Sequence, residues 1–391
     1  MREIEVTRRF QQRALKDSQV LSFVGAGAYR HFIPAPVSLE KNPCTDETKK
    51  ENLTASRISN GLTDSLSDLN AMDTTCYAGS DLIAAILRGI GIIQETPGKH
   101  QSGQILIAST VNPFYRKAIG TWLKHRGVDP DIVPYDEFEG MVGPDQLISY
   151  DKKSVAALII QYPNYFGVIE NIDKISNWTR KRGIALVAIV NPLALGTLKP
   201  PGNWGKQGAD MAIYDLQTLG LPVCLSGSAP GFISVKNRWD DQLKDAVKSP
   251  FGPQEPQPAD IWMHARAETY LNYLGSNGLA EVAQQCAINL ASLEHGLLEN
   301  PLLSQRFGGT RFHECVIEFD QVDLPAVLSL CAGDGFQIGY PLLADYPELA
   351  QCILFNATEA HLPGDIDAMV DKLSRVTQLK SKAAGPAAPK H

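Results

Sequence analysis

The sequence predicts an α/β fold, with a mostly parallel central sheet followed by a small C-terminal α+β domain. Three observations predict it. Short continuous apolar runs recur between residues 105 and 235, among them Ile105-Leu106-Ile107-Ala108 and Ala185-Leu186-Val187-Ala188-Ile189-Val190. An apolar run without alternation belongs to a strand covered on both faces. Helical segments separate the runs, the order expected of crossover connections in a parallel sheet. A proline-rich stretch (Pro250, Pro253, Pro256, Pro258) then ends the alternation, and a long helical segment follows.

Each element is read in turn. Residues 2–18 carry Ile4, Val6, Phe10 and Leu15 among charges and read as an amphipathic N-terminal helix. Ser22–Tyr29 is an apolar, glycine-spaced turn ending in His31-Phe32-Ile33-Pro34. Residues 38–70 are polar, rich in Asn, Thr, Ser and Asp, and read as a loop or weakly ordered arm. Ser80-Asp81 caps an apolar helix over Leu82–Ile93. Then come strand 105–108, helix 113–125, strand 132–134, strand 155–160, helix 172–182, strand 185–190, and strands at 211–214 and 232–235. After Lys236 the chain turns helical. Past the prolines, the long helix leads to strand 314–319, helix 324–331, strand 352–356 and helix 366–379. The expected division is therefore an N-terminal helix and arm (1–70), a large α/β domain (71–250), a connecting helix with the small domain (251–379), and a disordered Ala/Lys/Pro-rich tail (380–391). No internal repeat is visible. This plan is that of fold-type I pyridoxal-phosphate enzymes, and other doubly wound folds share it.

Composition narrows the function classes. A hydrophobic share of 44%, a charged share of 20% and a formal charge of −7 suit a soluble globular protein and speak against a general nucleic-acid binder. No apolar run reaches the roughly 20 residues of a membrane helix. The charged first residues lack the apolar core of a signal peptide. Seven cysteines, at 44, 76, 224, 286, 315, 331 and 352, are odd in number and form no CxxC pair. They fit a reducing cytoplasm better than a disulfide framework or zinc site.

Four ordered runs carry a more specific signal. Ser22–Pro34 is similar to a "SFLGAGAYxHxIP" opening, and Gln161–Glu170 to "xxPNFFGxIE". Val190–Gly202 is similar to "VNPLALGLLKPPG", and Gly208–Met211 with Asp215–Pro222 to "GADIVVGDAQPLGLP". Tyr346-Pro347-Glu348-Leu349 adds weaker support. Together these resemble glycine decarboxylase, the P-protein of the glycine cleavage system, in its N-terminal subunit that lacks the cofactor lysine.

The resemblance implies the rest. That enzyme condenses glycine with pyridoxal phosphate, releases carbon dioxide and passes the aminomethyl group to the lipoyl arm of the H-protein. In its two-chain form a lysine-bearing partner subunit holds the cofactor, and a hetero-oligomer results. The residues agree with a silent copy. A pyridoxal-phosphate site needs a lysine amine and an acidic partner for the pyridine nitrogen. Here Gln217 stands where the resemblance places the lysine, and the strand ending in Asn191 brings no carboxylate. Lys199 and Lys206 sit in a Pro/Gly-rich loop and read as solvated. No catalytic residue is expected on this chain. Ala78, Gly79, Ser80, Asn191 and Gln217 are candidate remnants of the pocket, and no metal site is expected.

Three departures stand against the matches. In place of the family's "YTPYQPExSQGxL" motif the chain keeps only Ile58-Ser59-x-Gly61, and the helix that follows reads as largely missing. The histidine of "GGPHLG" becomes Ala229 within Ser226–Gly231. The arginine-rich "TREQHIRREKATSN" segment is replaced by Ser249–Ile261, leaving His264 and Arg266 as the nearby basic groups. These losses remove groups that order a carboxylate or phosphate.

The remaining candidates each have two readings. Cys76–Ser80 before a helix is either a remnant anion cradle or a small-residue helix start with Ser80 as cap. Gly25-Ala26-Gly27 lacks a preceding strand and the third glycine of a dinucleotide turn. His313-Glu314-Cys315 alternates sides if it lies on a strand, which argues against a metal site. His31 reads as a packed histidine. Two functions stay open: the non-lysine subunit of glycine dehydrogenase (decarboxylating), and a catalytically inactive paralogue acting as scaffold or regulator. An independent pyridoxal-phosphate lyase is a third, against which Gln217 argues.

Overall fold

A computed structural model of the chain describes residues 20–34, 55–96, 103–151, 153–223, 229–248 and 256–380. The expected helix at 2–18, the first part of the arm and the tail beyond 380 lie outside the described residues.

The strands are β1 (Leu21–Ser22), β2 (Thr74–Gly79), β3 (Gln104–Ala108), β4 (Asp131–Val133), β5 (Val155–Tyr162), β6 (Ala185–Val190), β7 (Met211–Asp215), β8 (Gly231–Val235), β9 (Leu303–Gln305), β10 (Glu314–Phe319), β11 (Phe336–Gln337), β12 (Tyr340–Pro341) and β13 (Cys352–Asn356). The helices are α1 (Ala55–Asn70), α2 (Leu82–Glu95), α3 (Pro113–His125), α4 (Pro144–Leu147), α5 (Ile172–Arg182), α6 (Asp240–Lys248), α7 (Pro258–Leu298), α8 (Leu324–Gly333) and α9 (Pro363–Lys380).

Two compact units result. The larger takes residues 27–287 and 307–312 and is built on a seven-stranded sheet of order β2-β8-β7-β6-β5-β3-β4. β4, β3, β5, β6 and β7 run parallel, and β8 pairs antiparallel with both β7 and β2. β5 and β6 are buried at every position, as the apolar runs 155–160 and 185–190 require. The smaller unit takes residues 20–26, 288–306 and 313–380 of the described chain, around a four-stranded antiparallel sheet of order β12-β13-β10-β9. Its core gathers Leu293, Phe319, Phe355 and Leu373. The fold is thus the expected parallel sheet with a small α+β unit.

Three features differ from the sequence reading. Of the arm expected at 38–70, residues 55–70 form α1, so the helix read as missing is present. Leu62 and Leu66 are fully buried and Leu69 packs beside them. Their i, i+4, i+7 spacing is a helical stripe diluted by Ser, Asn and Thr. Residues 74–79 form the edge strand β2, so Cys76–Gly79, read as an anion cradle or a small-residue helix start, lie on a strand. Pro258 opens α7, and the break between units does not fall there, because Ala267, Tyr270, Leu279, Ala283 and Cys286 enter the larger core. α7 itself is interrupted at Gly275, whose φ of 61° and ψ of −173° leave the helical region. Among the described residues, no helix is long and apolar enough to cross a membrane.

Candidate functional site

The candidate residues meet at the carboxyl edge of the parallel strands, where ligands of open α/β sheets bind. Ile189 of β6 faces Ile213 of β7, so Asn191 and Asp215, each two residues further on, leave the sheet together. Asp215 faces Gly231 of β8, and Gly231 faces Gly79 of β2. This row sets Gly79 and Asp215 on either side of β8, with Asp215 two residues before Gln217. Ala78, Gly79, Ser80, Asn191 and Gln217 therefore share one rim.

Gln217 is held at both ends. Its backbone N–H donates to Asp215 Oδ1 at 3.0 Å. Its Oε1 accepts the backbone N–H of Tyr29 at 3.1 Å, while its Nε2 donates to the Tyr29 carbonyl at 2.7 Å. The two motifs at 22–34 and 215–222 are joined through this one amide. Tyr29 is buried, Ile33 packs on the core, and Gly27 turns the chain at a φ of 106°, close against Asn112, the N-cap of α3. Loss of hydration pushes the Asp215 carboxyl up to about 6, with Asp81 adding to the rise.

The turn from β2 into α2 is similarly occupied. Asp81, not Ser80, is the cap, accepting the Ala84 N–H at 2.6 Å, and Ser80 is exposed. Arg88 Nε donates to the Ala78 carbonyl at 2.9 Å. Burial pushes the Cys76 thiol up to about 12, so it is inert at neutral pH. Beside this turn, Tyr77 donates to Asp260 Oδ2 at 2.9 Å, and His264 sits edge-on to the Tyr77 and Phe232 rings at 5.4 and 5.3 Å. Burial pulls His264 down to about 4, and its Nε2 has no hydrogen-bond partner among the described residues. Arg266 lies over the Trp262 ring, 4.8 Å from its centroid. The two basic groups near the replaced segment are thus packed.

Glu170 was not singled out by sequence, although it closes the Gln161–Glu170 motif. It is 2% exposed and accepts from the Thr110 hydroxyl at 2.7 Å, Asn164 Nδ2 at 2.9 Å and the Val142 N–H at 2.8 Å. Burial still pushes its carboxyl up to about 7. Three loops at the carboxyl edge meet on it. The signal that could have found it is an acidic residue closing an otherwise apolar motif, since such a group needs several donors to remain inside.

Other candidates resolve as structure. Asn191 Oδ1 accepts the Leu193 N–H at 3.1 Å and turns the chain after β6. Lys199 pairs with Asp173 at 2.8 Å at the surface, and Lys206 is exposed. Ala229 is buried in the larger core. Within the smaller unit, Glu314 accepts the Ala26 N–H at 2.7 Å, and the His313 carbonyl accepts from Asn356 Nδ2 at 2.9 Å. Glu314 so anchors the Gly25-Ala26 turn. A strand, β1, does precede that turn, contrary to the sequence reading, but residues 27–34 form no helix. His31 is 9% exposed, as a packed histidine should be.

The rim does not fit pyridoxal phosphate. The side chain at 217 has no amine, and both polar atoms of its amide are engaged by Tyr29. The helix start that would receive a phosphate already carries the Asp81 carboxylate. What the rim does chemically is fasten loops.

Comparison with known proteins agrees with this architecture. A solved glycine decarboxylase (P-protein) of the glycine cleavage system, in inhibitor-bound form, superposes with a TM-score of 0.81 at 23% identity, over 96% of this chain and 90% of that one. A sphingosine-1-phosphate lyase of Burkholderia pseudomallei gives 0.73 at 14% identity, over 98% and 92%. The fold is that of the fold-type I pyridoxal-phosphate enzymes. The sequence model of the glycine cleavage system P-protein matches residues 1–245. A probable glycine dehydrogenase (decarboxylating) subunit 1 of Nitrosospira multiformis is 31% identical over 96% of this chain and 89% of its own length. One of the same description from Legionella pneumophila (strain Lens) is 29% identical over 93% and 86%. The chain belongs to the glycine cleavage system P-protein family.

Proposed function

We propose that this chain is the non-lysine subunit of glycine dehydrogenase (decarboxylating), working in the cytoplasm with a lysine-bearing partner subunit and the lipoylated H-protein. The partner holds pyridoxal phosphate, and the pair decarboxylates glycine and passes the aminomethyl group to the lipoyl arm. One observation carries the assignment of the silent role: Gln217, where the resemblance places the Schiff-base lysine, spends its amide on Tyr29. The descriptions of the relatives, each a subunit 1, support a two-chain enzyme.

Co-expression with a lysine-bearing subunit and H-protein tests this by glycine–bicarbonate exchange. The expected result is a co-purifying complex whose exchange depends on both chains. A partner subunit that exchanges equally well without this chain would overturn it. A second reading, a scaffold or regulator without a catalytic complex, is favoured by the packed state of His264 and Arg266. Binding to the partner without any gain in exchange is the result that would select it.

A further inference from the structure

We infer that Gln217 is a positioning residue whose side-chain amide fastens the Gly27–Pro34 segment over the carboxyl edge of this chain's own sheet. The inference rests on contacts within the chain and not on the proposed function. Residues 28–34 belong to no helix or strand, so their main-chain polar groups need partners from elsewhere. Gln217 satisfies both main-chain groups of Tyr29, at 3.1 and 2.7 Å. Asn and Gln carry a neutral donor and an acceptor on one planar amide that matches a peptide group, and Asn is a methylene shorter. A lysine could donate to the Tyr29 carbonyl but could not accept from its N–H. The amide also starts from a fixed base, because Asp215 holds the Gln217 backbone at 3.0 Å. At the near end of the segment, Gly27 sits where a Cβ would lie 2.9 Å from Asn112 Nδ2. The segment is thus docked against the N-cap of α3 and just beyond the end of β7.

Amide hydrogen exchange on the full-length chain, read by mass spectrometry, tests the fastening. Gln217→Met keeps length without polarity and should speed exchange across peptides covering 27–34 by about tenfold. Gln217→Glu can accept from the Tyr29 N–H but cannot donate to its carbonyl, and should fall between the two. Peptides from β5 and β6 should not change. Equal exchange in wild type and Gln217→Met, or equal loosening of every peptide, would overturn the inference. If co-expression gives no exchange while the local protection pattern appears, only the proposed function falls.

Discussion

Asn164 Nδ2 donates to Glu170 Oε1 at 2.9 Å, joining two side chains buried in the larger unit. Asn164 Nδ2 also donates to the Gly140 carbonyl, and its Oδ1 accepts from the Phe166 and Val168 amides. Its four bonds fill its full inventory. Asn164→Ala would strand Gly140 and two backbone amides inside the protein. A loss of about 3 kcal/mol is expected, measured by urea unfolding. A loss below about 1 kcal/mol would show that these groups reach water.

Glu170 makes stability depend on pH. Its carboxyl rises from 4.5 to about 7 on folding. The folded chain therefore holds a proton that the unfolded chain releases, and stability falls as pH rises between those values. Asp215, raised from 3.8 to about 6, acts in the same direction over a lower window. His264, lowered from 6.5 to about 4, acts oppositely, so its contribution grows as pH rises through that interval. Comparing wild type with Glu170→Gln isolates the first effect. Between pH 5 and 8, wild type should lose more of its urea midpoint than the variant, and parallel curves would contradict the assignment.

Gly202 has no room for a side chain. A Cβ there would run into the Ala71 carbonyl at the end of α1, which also accepts from Lys236 Nζ at 2.7 Å. Gly202→Ala should abolish soluble expression or lower the thermal midpoint severely. Gly120, with nothing within 4 Å of a Cβ and set inside α3, is the control. Gly120→Ala should stabilise by about 0.5–1 kcal/mol, read from the same thermal melts.

Tyr77 and His264 offer a contrast. Tyr77→Phe removes one donor from Asp260, which keeps the Gln257 N–H at 3.0 Å. The cost should be about 1 kcal/mol in chemical denaturation. His264→Leu removes a buried nitrogen that has no partner among the described residues. Stability should hold or rise. A clear loss would mean that the imidazole makes a bond through water.

The parallel sheet was legible because its central strands are largely apolar. In β5 and β6 only Gln161 is strongly polar, and α3 and α5 span the expected residues 113–125 and 172–182. α1 was not legible, because its stripe of leucines is thin and its exposed face is made of turn formers. β2 was hidden for another reason. Thr74-Thr75-Cys76-Tyr77 is a half-buried edge strand, and its antiparallel pairing with β8 joins residues about 160 apart, which no local pattern encodes. The rim residues were found by resemblance, yet their roles were not, since the partner of Gln217 lies 188 residues away. Glu170 escaped notice because a carboxylate gives no hint of how many donors surround it.

Asp210 lies at the opposite end of the sheet from Gln217. It accepts from the Leu186 N–H, Arg238 Nε and Trp239 Nε1, and so ties together the amino ends of β6 and β7 and the chain leaving β8. Gly196 and Gly202 likewise serve close approach to Leu279 and Ala71. The segments that mark this family are thus largely joinery, at the rim as at the far end of the sheet. Selection for assembly alone can therefore preserve many of the motifs by which ancestry is recognised.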